Sequence, residues 1–325
     1  MAQRRPFRET QRQRIIAERR RGLAMPAGPL GTLWRRGGSC VRESAQVVAG
    51  AMPSPESFTF GIALIPRACA RNWQLIETLL DLTLTSVRAQ TDPDFRVVIA
   101  GHDRPRILPR DRRFTFVEVD WPAQHPGPDN ADSGRKKHAI NEMVLAGGGG
   151  LLMLLDADDW VHMRLVEAAR ALIGEHQIGA LIEQGLVTDF RTLRAATLPH
   201  PRVFRGEFHR VCGSSAVARL RPDAADTLRR DPWNVLGSHH RWIEVAREHG
   251  AELARLPVSG DYVINTSENH SEVHGPYAAW RRRLIASVNG EGGPLDPALA
   301  GQFGLRLERI QAASARFFPQ AGCRR

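Results

Sequence analysis

Three carboxylates stand within four positions, Asp156-Ala157-Asp158-Asp159, directly after the apolar run Leu151-Leu152-Met153-Leu154-Leu155. Like charges this close repel, so the group needs a cation, protons or water to relax it. A hard divalent ion shared with substrate phosphates suits two carboxylates, which makes Asp156 and Asp158 candidate metal ligands. The competing reading is that Asp158 or Asp159 only caps a following helix, a position that Asp favours.

The apolar run is too short to span a membrane and suits a strand buried on both faces. In open α/β sheets ligands sit at the carboxyl ends of such strands. The surrounding pattern predicts strands at 58–65, 95–100 and 114–119, and helices at 75–89, 135–146 and 161–175, with Gly147–Gly150 stopping the second. That order, β-α-β-β-α-β-α, predicts a mostly parallel sheet flanked by helices. The second half is less regular. Strands are expected at 178–187, 202–208 and 262–265, and a strand leading into a turn at 211–218. Helices are expected at 223–230, at 239–249 behind Ser238 as its cap, at 277–288 and near 298–315. The chain so divides into a basic extension (1–56), a catalytic-type domain (57–290, split near 175) and a helical tail (291–325).

The net charge of +10 suggests nucleic acid, but its distribution does not. Residues 1–50 hold 11 Arg and 3 acidic residues, while the remaining 275 hold 34 basic and 32 acidic residues. A near-neutral core argues against a nucleic-acid-binding domain. The extension reads as a solvated tail, and the partner its charge would suit is an anionic membrane surface, contacted weakly. Cys40, Cys69, Cys212 and Cys323 form no CxxC pair, and neither a membrane span nor a secretory apolar stretch is seen. A cytoplasmic protein, at most peripheral to the inner face of a membrane, is the expectation. Trp160, Trp233 and Trp242 are read as core rather than as sugar-stacking platforms.

With this element order, Asp156-Ala157-Asp158-Asp159 resembles the D-x-D-D block of the GT-A nucleotide-sugar glycosyltransferases, closest to the family-2 type with its bacterial rhamnosyltransferase-like members. The fold so implied is a GT-A, Rossmann-like α/β fold with a less regular acceptor-side half. The family carries A-R-N on the preceding helix; here Ala139-Ile140-Asn141 stands there, with Asn141 15 residues before Asp156. Ile140 replaces the Arg, and Arg135, Lys136 and Lys137 lie one turn upstream as its substitutes. As cations at a helix start they oppose the macrodipole, which suits a diphosphate contact. The end of the first strand, Pro66-Arg67, matches the family's nucleotide-touching position. His102-Asp103 stands where the family has two carboxylates that recognise the base, so Asp103 is the one retained. Asn269-His270-Ser271 and His274 lie where a late metal- or phosphate-binding His is placed, with His270 favoured.

The resemblance covers roughly 58–290 and is closest over 58–175. It implies a glycosyltransferase, of hexosyl or rhamnosyl type, that uses Mn²⁺ or Mg²⁺. It would move a sugar from a UDP-, GDP- or dTDP-linked donor to a hydroxyl acceptor in polysaccharide synthesis, with inversion. Inversion needs a general base. The family's acidic pair at the start of a late helix is replaced here by His239 and His240, with Asp231 or Glu183 as alternatives. Two rival readings remain. A nucleotidyltransferase is disfavoured because Pro66–Ala70 lacks a Gly-rich phosphate loop. A nucleotide-sugar-binding module that has lost its base would explain the missing carboxylates.

Overall fold

The computed structural model describes residues 57–127, 130–273 and 278–319. The basic extension, His274 and the expected start of a helix at Tyr277 lie outside the described residues. In chain order the elements are β1 (Phe58–Ala63), α1 (Trp73–Arg88), β2 (Phe95–Gly101), β3 (Phe114–Glu118), α2 (Ala131–Ala146), β4 (Gly150–Leu154) and β5 (Trp160–Val161). There follow α3 (Leu165–Leu172), β6 (Gln177–Asp189), β7 (Arg194–Leu198), β8 (Ala216–Leu220), α4 (Thr227–Arg230), α5 (Pro232–Leu236) and α6 (Trp242–Glu248). The chain continues through β9 (Glu252–Ile264), α7 (His270–Val273), α8 (Ala278–Glu291), β10 (Gly293–Pro294), α9 (Pro297–Gly301) and α10 (Leu307–Phe317).

The sheet runs β10-β7-β6-β8-β4-β1-β2-β3, with β9 paired to β5 and β6. The first half is parallel throughout: β1 pairs with β2 and β4, and β2 with β3. β8 enters antiparallel between β4 and β6, and β9 runs parallel to β6 over its length. The result is the Rossmann-like α/β sheet flanked by helices that the element order predicts. Strand residues alternate between the two faces, and both faces are apolar. Phe60, Met153 and Ile99 meet α1 and α3 on one face, while Leu152, Leu154 and Val98 meet α2 and α6 on the other. Trp242 is buried on the second face, and Trp160 is buried in a separate cluster with Leu75, Leu79 and Phe303, both core as expected.

Five expectations shift, each for a local reason. The helix expected from Arg135 begins at Ala131, so Asp132 sits in its first turn and Gly134 continues it. Residues 202–208 form no strand among the described residues; they fold back in an isolated bridge between His200 and Phe204, just after Pro199 and Pro201, and the strand forms upstream as β7. Residues 211–215 are a turn, and the strand follows them as β8 instead of leading into them. The short strand expected at 262–265 is the end of a 13-residue one, hidden in the sequence by Pro257 and Gly260 and by a register shift opposite Ile182–Gln184. The tail holds two helices, with Asp296 capping α9 and Gly304 (φ 64°) following it.

Gly61 sets how close α2 comes to the sheet. A Cβ built there would meet Ile140 at 2.7 Å and Leu152 and Leu154 at 3.2 Å. Overfilling such a contact typically costs about 1–3 kcal/mol. Gly61→Ala is therefore expected to lower unfolding free energy by about that amount, measured by urea denaturation.

Candidate active site

At the ends of β1 and β2 the structure brings together several of the expected donor residues. The backbone N–H of Arg67, next to Pro66, donates to Asp103 Oδ2 at 2.8 Å. The three cations on α2 face in different directions, because each residue turns the helix by about 100°. Arg135 lies over the Trp121 ring, 4.1 Å from its centroid. Lys136 is buried, and its ammonium donates to Asp132 at 2.5 Å and to the Leu64 carbonyl at 2.7 Å. Burial pulls the Lys136 pKa down, and Asp132 opposes that pull. Lys137 alone of the three reaches the acidic strand end, with Nζ 3.3 Å from Asp156 Oδ1. The helix-start reading of these cations is thus corrected: they occupy the second turn, and Lys136 is neutralised inside the fold. One turn beyond Lys137, Asn141 is 2% exposed, and neither amide atom has a partner among the described residues.

The carboxylates after β4 are each held by a different element. Asp156 is half exposed, and its backbone N–H donates to Ser214 Oγ at 2.9 Å. Asp158 Oδ2 accepts from Asn269 Nδ2 at 2.7 Å. Asp159 is buried; its Oδ1 accepts from the Val263 N–H at 3.1 Å, and Cys212 Sγ lies 3.5 Å from Oδ2. Neither Asp158 nor Asp159 uses its side chain to cap a helix; α3 begins later, after Arg164. Burial pushes both carboxyls up, and each is raised further by neighbouring aspartates. Behind them Asp261 Oδ2 accepts from Thr188 Oγ1 at 2.7 Å, while Oδ1 is buried without a partner among the described residues.

Asn269 is where the chain returns to this cluster after β9. Asn265 (φ 62°) and Ser267 (φ 71°) turn the backbone, and Thr266 donates to Asn269 Oδ1 from both N–H and hydroxyl. Asn269 in turn donates to the Val263 carbonyl and to Asp158. The neighbouring His270 donates from Nε2 to the Gly127 carbonyl at 2.7 Å, so that nitrogen presents no lone pair to a metal. From this segment Asn269 reaches the acidic motif.

His239 and His240 stand on a 3-10 turn ahead of α6, and Ser238 makes no side-chain cap. Their Nδ1 atoms donate to consecutive carbonyls, His239 to His209 and His240 to Arg210. A carbonyl only accepts, so both rings carry the proton on Nδ1 when neutral. Gly213 joins this pair to the acidic end: a Cβ there would lie 3.6 Å from Asp156 Oδ2 and 4.0 Å from His239 Cδ2. Burial, then His240, lower the His239 pKa to about 3, which makes it a weak proton acceptor. Asp231 is committed elsewhere, accepting from the Asn234 N–H as the cap of α5. Glu183 pairs with Arg255 on the neighbouring strand β9. Sequence reading missed Ser214, Asn269 and Asp261. The small-residue run Cys212–Ser215 was a visible signal for a close approach, whereas Asp261 inside a strand gave none.

Comparison with known proteins adds little to this geometry. No family model matches the chain, and no curated protein matches it. Among solved structures, a candidate nucleotide-diphospho-sugar transferase from Desulfovibrio desulfuricans G20 overlays with a TM-score of 0.32 and 13% identity, over 73% of this chain and 98% of the other. At that TM-score the likeness carries no weight, and function must be read from the side chains.

Asp261 makes the site's electrostatics measurable. Burial raises its carboxyl to about 8, with Asp159 adding to the effect. The folded state then keeps a proton that the unfolded chain releases near pH 4. Stability tied to this group is full at low pH and falls as pH rises through the window between about 4 and 8. Asp261→Asn is expected to reduce the loss of thermal stability between pH 5 and pH 8.5, with melting temperatures at the two pH values as the readout. An unchanged difference contradicts the assignment.

Proposed function

We propose that the chain transfers a sugar from a nucleoside-diphosphate donor to a hydroxyl acceptor, as a metal-dependent glycosyltransferase of the GT-A kind. The observation that carries this reading is the carboxylate crowd after β4, with Lys137 on Asp156 and the nucleotide-side strand ends nearby. Among the described residues no three His, Cys, Asp or Glu side chains gather into a ready-made metal cage. In this reading Asp156 and Asp158 would supply the protein's oxygens to the metal. Mn²⁺ or Mg²⁺ suits such a set, with waters and substrate phosphates filling the remaining positions. When bound there, the metal would act as a Lewis acid for the charge gathering on the leaving diphosphate.

The chain's own residues take the other roles in this reading. Lys137 exchanges Asp156 for a phosphate oxygen. Asp103 and the Arg67 backbone face the nucleotide. His239, neutral at working pH, accepts a hydrogen bond and aligns the acceptor hydroxyl, and proton removal falls to His240. That base choice carries the inverting outcome with it. The hexosyl or rhamnosyl type follows the resemblance alone.

The test is nucleotide release by the full chain with Mn²⁺ or Mg²⁺ and a panel of UDP-, GDP- and dTDP-sugars. One nucleotide class should be consumed, and Asp156→Asn or Asp158→Asn should lower kcat/KM by roughly 100-fold or more, as loss of several kcal/mol of charge stabilisation implies. Consumption of no donor, or full activity in both variants, sinks the reading.

A further inference from the structure

One buried amide holds the acidic strand end from behind. Asn269 lies inside the fold, and both ends of its side chain are committed. Its Oδ1 accepts from the Thr266 N–H at 3.0 Å and from the Thr266 hydroxyl at 2.6 Å. Its Nδ2 donates to the Val263 carbonyl at 2.9 Å and to Asp158 Oδ2 at 2.7 Å. A backbone N–H only donates and a backbone carbonyl only accepts, so these two groups fix which way round the amide stands. The atom facing Asp158 is therefore the nitrogen, and both of its protons are spent.

The turn that carries Asn269 is itself anchored. Glu268 accepts from the backbone N–H groups of Asn72 at 2.7 Å and Arg71 at 3.3 Å, at the start of α1. Val263 on β9 donates its own N–H to Asp159 Oδ1 at 3.1 Å, so one strand residue serves both neighbouring aspartates. Asp158 is half-buried, and no other residue among the described ones donates to its carboxylate; its own backbone N–H is the remaining donor beside it. The two oxygens are thus unequal, with Oδ2 pinned to another part of the fold and Oδ1 not. Carboxylates that ligate metals are commonly held by such an outer hydrogen bond, which sets their orientation. Ca²⁺ takes more oxygens and accepts both from one carboxylate, whereas Mg²⁺ keeps a tight octahedron.

We propose that Asn269 is a positioning residue for metal selection: by holding Asp158 Oδ2 it leaves Oδ1 as the oxygen this carboxylate offers, which favours Mn²⁺ or Mg²⁺ over Ca²⁺. This rests on, and deepens, the metal-dependent reading of the site. Removing the amide frees Oδ2, lets the carboxylate turn and lets it offer both oxygens, so the preference for the smaller ions narrows.

Binding of Mn²⁺ to the full chain without any donor tests it, read from the EPR signal of free Mn²⁺, with Ca²⁺ as the competitor. Wild type and Asn269→Ala are compared with Asp296→Ala, which loses the cap of α9 and serves as a control for lost stability alone. Wild type should bind Mn²⁺ more tightly than Ca²⁺. Asn269→Ala should weaken Mn²⁺ binding by roughly 10- to 100-fold and Ca²⁺ binding by less, so that the Mn²⁺/Ca²⁺ affinity ratio falls. Asp296→Ala should lower the Tm and keep the ratio, as a merely structural role for Asn269 also would. The proposal is overturned if wild type binds neither ion, if it binds Ca²⁺ as tightly as Mn²⁺, or if Asn269→Ala keeps the wild-type ratio. Should Asn269→Ala fail to fold, Asn269→Ser, too short to reach Asp158, decides on the same ratio. An Asn269-dependent ratio without consumption of any nucleotide sugar would sink the sugar-transfer reading and leave this one standing; metal-dependent consumption with an unchanged ratio would do the reverse.

Discussion

Repulsion among Asp156, Asp158 and Asp159 is the constraint around which the rest of the molecule is arranged. The three follow a strand that is buried along its whole length, so water offers little relief to the inner two. Each carboxylate is steadied by a different part of the chain. Lys137 comes from α2, Ser214 from the turn before β8, Val263 from β9, and Asn269 from the turn after β9. Contacts separated by more than a hundred residues thus meet at one strand end. The remaining strain shows as carboxyls whose pKa values lie above their ordinary range, a state that a bound cation would reverse.

The two halves of the sheet divide this work. The parallel half puts the ends of β1, β2 and β4 on one edge, where open α/β sheets bind ligands. The antiparallel strand β8 and the long β9 form the other side; β9 carries Asp261 and leads into Asn269, and the histidines stand on the turn between α5 and α6. Gly61 is where this packing needs the absence of a side chain, because α2 approaches the sheet there; Gly213 lies between Asp156 and His239 with room for a methyl group.

Much of the first half was legible because its signals are local. The run 151–155 is apolar without interruption, and the aspartates follow it directly. The division of labour among Arg135, Lys136 and Lys137 was not legible. It depends on helix phase, and the start of α2 four residues earlier changes the electrostatic argument altogether. The second half was harder for a related reason. Pro257 and Gly260 break the alternation that marks a strand, yet β9 passes through both with a register shift. Partners such as Asn269 for Asp158 and Thr188 for Asp261 are tertiary, and no spacing rule connects them.

On the sugar-transfer reading, the strand end is strained by its own charge and a divalent cation would relieve it. Thermal unfolding of wild type and Asp158→Asn, in EDTA and in millimolar Mn²⁺ at pH 8, tests it directly. The amide keeps an oxygen for Asn269 and removes one charge. Asp158→Asn should melt above wild type in EDTA, and Mn²⁺ should raise the wild type while leaving the variant nearly unchanged. A variant that melts below wild type in EDTA, with no response of the wild type to Mn²⁺, would contradict it.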